Sequence, residues 1–344
     1  MGLNEKFFKS ASDTPVVAAD NFAPVIYNGN NTTQSITSLN FKPDLIWLKG
    51  RNNGNIHILT DSIRGTNSQL TSNNTGAQTA GAANVTSFNS NGFSLGDAGN
   101  TNTSGQTYVA WCWKAGEAAV QNNDGTIQGA NCLVSANVAG GFSIVKYTGN
   151  GTAGATVGHG LTSLTPSLII WKNISATSNW LVYSPLIGND SQFLYLNLTN
   201  QEQTSGSQNE YPTYKTDPTS TLVTVNGAGS SNNINISGEN TIMYCFADVA
   251  GYQKVGSYAG SNSNLQVNTG FQPRFLMLKN IDVARPWIMI DSLRTGYLEA
   301  NSSGAESDTV SNYVSFNSTG FLLVGGTGSY INESGYNWLY LAIA

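Results

Sequence analysis

Charge is what this 344-residue chain has least of: Asp, Glu, Lys and Arg make up 10% of it, and the formal net charge is −5. An ordinary globular chain carries charge at roughly a quarter of its positions. The 15 basic residues are scattered, so the electrostatic footprint of a nucleic-acid binder is missing. Ala, Leu, Glu and Lys are too scarce for a helical bundle or coiled coil. The three cysteines, Cys112, Cys132 and Cys245, are odd in number and form no CxxC pair, which argues against a disulfide framework or a zinc site. No apolar run approaches the ~18 residues of a membrane span. Residues 1–13 have no apolar core long enough for a secretory signal, so synthesis in a cytoplasm is expected.

What is abundant is small and polar. Asn, Ser, Thr and Gly together make up about 43% of the chain, beside 40% hydrophobic residues that include 7 Trp, 15 Tyr and 13 Phe. That much aromatic area must be buried, which excludes low-complexity disorder. Turn formers mixed with β-branched and aromatic residues spell short strands joined by tight turns.

Internal repetition organises these strands. Three segments share an apolar stretch that follows a proline and ends in lysine: Pro43-Asp-Leu-Ile-Trp-Leu-Lys49, Pro166-Ser-Leu-Ile-Ile-Trp-Lys172 and Pro273-Arg-Phe-Leu-Met-Leu-Lys279. Eighteen residues after each proline stand Asp61, Ser184 and Asp291, and the first and third open the matching pairs Asp61/Arg64 and Asp291/Arg294. Gly92-Phe93 and Gly320-Phe321 recur without a clear match in the second segment. Ser-Gly recurs at Ser104, Ser237 and Ser334, and a tyrosine before a turn at Tyr27, Tyr147 and Tyr258. Each unit is about the size of a β-sandwich and far longer than a solenoid repeat.

The expected fold is therefore all-β: three tandem antiparallel β-sandwich domains, jelly-roll or concanavalin-like. The expected boundaries are an N-terminal attachment segment 1–21, repeat 1 over 22–115, a linker 116–141 with a small hairpin around Asn123-Asp124-Gly125, repeat 2 over 142–250 and repeat 3 over 251–344. The continuously apolar runs after the prolines (45–48, 168–171 and 275–278) predict central strands buried on both faces. The next strands are expected at 56–60, 180–183 and 287–290. The final strand of each unit alternates, with Val109, Trp111 and Trp113 on one face, then Ile242, Tyr244 and Phe246, then Leu339, Leu341 and Ile343. The short second join, near 249–255, implies a fixed domain orientation.

A search for chemistry yields little. His57 lies four residues before Asp61, and the same offset gives Trp180 and Trp287 in the other units, so His57 reads as a packing position. His159 sits in a Gly-flanked loop with no second histidine nearby. Asp61/Arg64 and Asp291/Arg294, at i and i+3, read as local ion pairs. No unit offers the paired carboxylates of a glycosidase. Residues 97–100 and 123–125 lack the ligand alternation of a calcium loop. Gly149 to Gly154 lacks the ending of a phosphate loop. Cys112 and Cys245 occupy one packing position that is Ala342 in the third unit. The expectation is no catalytic residue, no metal and no cofactor. An insertion-like stretch, 200–220, carries Tyr211 and Tyr214, which could contact a glycan or partner.

The string Tyr108-Val-Ala-Trp-Cys-Trp-Lys-Ala-Gly116 is preceded by Phe41-Lys-Pro-Asp-Leu-Ile-Trp-Leu-Lys49 and followed by Gly141-Phe-Ser-Ile-Val-Lys-Tyr-Thr-Gly-Asn150. Together they resemble an uncharacterised repeated domain common in tail-fibre-like and other virion proteins of marine bacteriophages, including those of cyanobacteria. The resemblance covers nearly all of residues 20–344, and Val157-Gly-His-Gly-Leu161 and Tyr244-Cys-Phe-Ala247 share in it. It implies a non-enzymatic virion structural protein, a tail fibre or spike component for host recognition, displayed on the particle as a homotrimer. Implied partners are other virion proteins through residues 1–21 and a host-surface glycan or protein, with no nucleic acid and no membrane insertion. The alternatives are a capsid decoration or tail adaptor and, as a minor one, a polysaccharide-degrading tailspike. Asp44 becomes Ser167 and Arg274 in the later units, so it is not a shared functional residue.

Overall fold

A strand that is apolar on both faces needs a packing partner on both, and that requirement organises the chain. The computed structural model describes residues 16–80, 83–188, 192–204, 217–225, 234–307, 313–325 and 331–344. All named strand pairs are antiparallel. The single helical turn among the described residues is Ala18–Asp20. The architecture is all-β and sandwich-like.

Each third of the chain builds a larger sheet with the same strand order. A leading strand (Phe22–Asn28, Phe142–Thr148 or Gln253–Ala259) pairs with the closing strand (Thr107–Trp113, Asn240–Ala247 or Asn337–Ile343). The closing strand then pairs with the post-proline strand (Leu45–Gly50, Pro166–Asn173 or Phe275–Asn280), and that one with a fourth strand (Ile58–Asp61, Leu181–Tyr183 or Ile288–Asp291). The second of these sheets grows to eight strands. Two of the additional strands, Val120–Asn122 and Gly129–Asn137, come from the stretch read as a linker, and the expected hairpin there adds to the leading edge of the sheet.

A smaller sheet covers one face of each larger one: Gln34–Ile36, Gly92–Leu95 and Val85–Asn89 in the first third, Ala155–Gly158 with Leu222–Val225 in the second, and Leu265–Asn268, Gly320–Leu323 and Val314–Asn317 in the third. Glycine is required where the last two strands of the first and third small sheets turn. Gly92 and Gly320 hold φ of +150° and +157°, and an added Cβ would overlap the carbonyl oxygens of Ile36 and Val267. This is the physical content of the recurring Gly-Phe.

Alternation along the strands sorts side chains between two kinds of core. Ala110 and Cys112, Met243 and Cys245, and Trp338, Tyr340 and Ala342 face three separate clusters, each between a larger sheet and its own small sheet. Val109, Trp111, Trp113, Ile242, Tyr244, Phe246, Leu339, Leu341 and Ile343, the face marked out by the period of two, all enter one further cluster that all three thirds share. The post-proline strands divide likewise, with Leu45 and Trp47, Leu168 and Ile170, and Phe275 and Met277 turned to the shared core. Five rings meet there. Trp113 lies 4.9 Å from Phe22, 5.8 Å from Phe275, 6.2 Å from Phe142 and 6.3 Å from Phe246 between centroids. Such tilted and edge-on contacts add to the area term. The short second join is pinned as well: Gln253 donates to the carbonyls of Gly141 and Ala247, and Tyr252 is buried in the shared core.

Trp113→Ala removes the hub of this ring cluster and is expected to cost about 3–5 kcal/mol. Because one core joins all three thirds, calorimetry is expected to show a single cooperative transition in the parent protein, shifted down as a whole in the variant. Independent unfolding of one third would contradict the shared-core account.

Candidate functional site

The polar chemistry of the chain gathers where one third meets the next. Each fourth strand is preceded by His57, Trp180 or Trp287, and the backbone N–H of each is held by an asparagine side chain, Asn73, Asn197 or Asn301, at 3.1, 2.8 and 2.7 Å. Each asparagine belongs to a short strap that receives the neighbouring unit. The Trp180 indole donates to Thr71 O at 3.0 Å, the Trp287 indole to Tyr195 O at 2.8 Å, and His57 Nε2 to Glu299 O at 3.0 Å. Thr71, Tyr195 and Glu299 all stand two residues before their asparagine, so three equivalent bonds run from the second third to the first, the third to the second, and the first to the third. A backbone ring follows the same circuit: Gln78 N to Ile174 O, Glu202 N to Ile281 O and Glu306 N to Arg51 O, at 3.1, 2.8 and 2.6 Å.

His57 is thereby explained as a structural residue. Trp47 Nε1 donates to its Nδ1 at 2.9 Å, so Nε2 carries the proton given to the neighbouring carbonyls. Burial, with the Lys49 charge nearby, lowers its pKa to about 3, so the ring stays neutral. His159 is also buried: Leu161 N donates to its Nδ1 at 3.1 Å and its Nε2 meets Thr219 O at 3.1 Å. Burial lowers its pKa too.

Asp61 and Arg64 pair at 2.6 Å, and Asp291 and Arg294 at 2.7 Å, all with side chains at most 1% exposed. Each carboxylate also accepts from the adjoining third, Asp61 from Tyr244 Oη at 2.8 Å and Asp291 from Trp111 Nε1 at 2.9 Å. In the second third the position of Asp61 and Asp291 is Ser184, and in the third the position of Trp111 and Tyr244 is Leu341. Carboxylate and donor disappear together, as burial requires, because an unpartnered buried charge is costly. Glu306 bridges Arg51 at 2.6 Å and Arg294 at 3.2 Å, tying the first third to the third.

The repeat-ending lysines carry a role that the sequence did not disclose. Lys49, Lys172 and Lys279 are buried and donate to carbonyls: Lys49 to Gly50 O and Asn53 O, Lys172 to Asn173 O and Ser178 O within its own third and to Thr75 O of the first, Lys279 to Arg285 O and to Thr199 O of the second. Burial lowers their pKa to about 8, about 8 and about 7. Their signal was the unvarying offset from proline. The strap asparagines gave no such signal, because the loops between them and His57, Trp180 and Trp287 differ in length.

Among the described residues, no group of three His, Cys, Asp or Glu is placed to hold a metal ion. Cys112, Cys132 and Cys245 are buried free thiols, and burial pushes each thiol up, Cys132 to about 12. Residues 97–100 form a turn closed by Thr101 N to Ala98 O. Asp124 belongs to no metal-ligating cluster among the described residues, and Gly125 bridges to Val157 in a hairpin loop. Gly149 to Gly154 is a turn in which Thr152 N bonds Asn150 Oδ1. Asp44 is buried, accepts from Ala115 N at 2.7 Å, and is raised in pKa by burial. Tyr211 and Tyr214 lie outside the described residues.

Two outcomes test this assignment of polar groups to junctions. Ser184→Asp buries a carboxylate with Ile187 in place of the i+3 arginine and Leu341 at the position of the donors Trp111 and Tyr244, and denaturant unfolding is expected to show a loss of about 3 kcal/mol or more. The lysines set a pH dependence of known sign. Their folded pKa values lie below the ~10.4 of an unfolded lysine, so between about pH 7 and pH 9.5 the unfolded chain binds more protons and stability rises with pH. The urea midpoint is expected to climb over that window, and Lys279→Gln to flatten part of the climb.

No curated protein matches the chain. A family model described as a domain of unknown function, DUF7483, matches residues 17–344, so that one model spans all three larger sheets and the core they share. On that coverage the chain belongs to the DUF7483 family.

Proposed function

We propose that this protein is a non-catalytic structural component of a bacteriophage particle, a fibre- or spike-like part that attaches to the host surface. The observation that carries the reading is the use to which the chain puts its few reactive side chains. His57, the two Asp–Arg pairs, Lys172 and Lys279 are buried at junctions within the molecule, Lys49 is buried within the first third, and all are occupied there. What faces outside is mostly amide and hydroxyl surface with scattered charges such as Asp97, Glu117, Arg274 and the Lys254–Asp248 pair, suited to a durable scaffold that makes many weak contacts. The resemblance of the landmark strings to tail-fibre-like proteins supplies the particle context. In this reading each third is a jelly-roll or concanavalin-like sandwich, residues 1–21 attach the chain to other virion proteins, and the assembled form is a homotrimer.

A second reading, a capsid decoration or tail adaptor, is favoured by the internal pseudo-threefold. A single chain whose junctions already repeat three times matches a site on a threefold axis of a larger assembly.

Immunogold labelling or cryo-electron microscopy of purified particles is expected to place the protein at the distal tail. Placement on the capsid would select the second reading, and absence from particles would defeat both. Light scattering is expected to give three times the 36.4 kDa chain mass; a monomer at micromolar concentration would remove the trimer. Release of oligosaccharide from host capsule or lipopolysaccharide would overturn the non-enzymatic assignment.

A further inference from the structure

The threefold repetition makes its own exceptions visible, and one of them builds a groove. In every third, the turn after the leading strand is pinned by a buried asparagine: Asn30 N bonds Asn102 Oδ1, Asn150 N bonds Asn235 Oδ1 and Ser261 N bonds Asn332 Oδ1. The tyrosine before each turn donates to the carbonyl just ahead of that asparagine, at Thr101, Ile234 and Ile331. Among the described residues, only in the second third does a hairpin, Val120–Asn122 with Gly129–Asn137, lie along the leading strand. Its loop reaches the turn and encloses a groove of about 360 Å³, whose polar side chains are Thr126, Gln128, Asn131, Thr148, Asn150 and Ser237. That volume is at the lower end of small-molecule sites.

We propose that this groove binds a short segment of an uncharged oligosaccharide. Three features of the site support that ligand class. First, both walls are preformed. Thr126 N and Ile127 N both bond Thr156 O at 3.0 Å, Thr156 N returns a bond to Thr126 Oγ1 at 2.8 Å, and Ile127 is anchored in the core of the second third. The opposite wall is held by Gly149 N to Glu239 O, Gly238 N to Gly149 O and Asn150 N to Asn235 Oδ1. Little ordering entropy remains to be lost on binding. Second, no ionisable side chain among the described residues lines the groove, so neither phosphate nor sulfate nor an ammonium group finds a countercharge there. Third, the lining groups are amides and hydroxyls that both donate and accept, as sugar hydroxyls do. Gln128, Asn131 and Ser237 are exposed, and their side chains make no hydrogen bond within the described residues. They are available to a ligand and dispensable to the fold. With no exposed aromatic wall, each site is weak, and copies on one particle would supply avidity.

The inference rests on the host-attachment reading and names the chemistry of the contact. The test takes the full chain and a double variant, Gln128→Ala with Asn131→Ala, through a glycan array of neutral and acidic bacterial surface oligosaccharides and through adsorption to host cells. Retention of neutral glycans by the parent, with at least tenfold weaker retention by a variant of unchanged melting temperature, is the expected result. Retention confined to acidic glycans, retention of none, or equal retention by the variant would overturn the groove assignment. If the variant still adsorbs to cells as the parent does, the groove falls while attachment stands. If the parent binds neutral glycans through Gln128 and Asn131 but adsorbs to no host, the groove stands while the attachment reading falls.

Discussion

A sheet that is apolar on both faces cannot end a structure, and this chain contains three of them. One small sheet covers one face of each. The opposite faces, led by Trp113, Phe246 and Phe275, can leave water only by packing on one another. Burying three large faces together is the step on which everything else depends, because each further interaction acts across the junctions that this packing creates. At ~25 cal/mol per Å² of apolar surface, the rings of the shared cluster outweigh any single polar contact in the molecule.

The polar groups then take their meaning from those junctions. A buried indole, imidazole or ammonium group must find an acceptor, and here the acceptor is repeatedly a carbonyl of the neighbouring third. The circuit is chemically tolerant. Tryptophan and histidine exchange at one position because both present a ring N–H. The carboxylate at the next position accepts from Tyr244 or Trp111 in two units, and in the remaining unit it is Ser184 while the donor position is Leu341. The lysines follow the same logic: Lys172 and Lys279 are held by carbonyls of a neighbouring third, and Lys49 by carbonyls of its own.

How much of this could be read from the chain depended on spacing. The post-proline strands, their double-sided burial and the inward face of the closing strands were legible, because periods of two and fixed offsets survive in the sequence. His57 was legible as a packing residue because Trp180 and Trp287 share its offset from the landmark. The straps at Asn73, Asn197 and Asn301 were not, since unequal loops separate them from the residues they hold. The stretch 116–141 read as a connection because its Ala, Gly and Asn content resembles a linker, yet Cys132 and Val134 bury themselves and draw a hairpin into the sheet.

By itself, the amino-acid sequence determined an all-β chain with a thrice-repeated order of landmarks and the alternation that turns one apolar set inward, because these are local properties of strands and turns. Only the tertiary structure decided what the inward set packs against, which carbonyl each buried donor meets, and that one hairpin turns a recurring turn into a groove. Those outcomes depend on contacts between residues up to some 255 positions apart, such as Arg51 and Glu306, and no local pattern encodes them. The scarcity of charge gains a reason on the same terms: with three sheets closing on a common dry centre, a charge is tolerated inside only where a carbonyl, a backbone N–H or an opposite charge, from its own third or the next, supplies its partner.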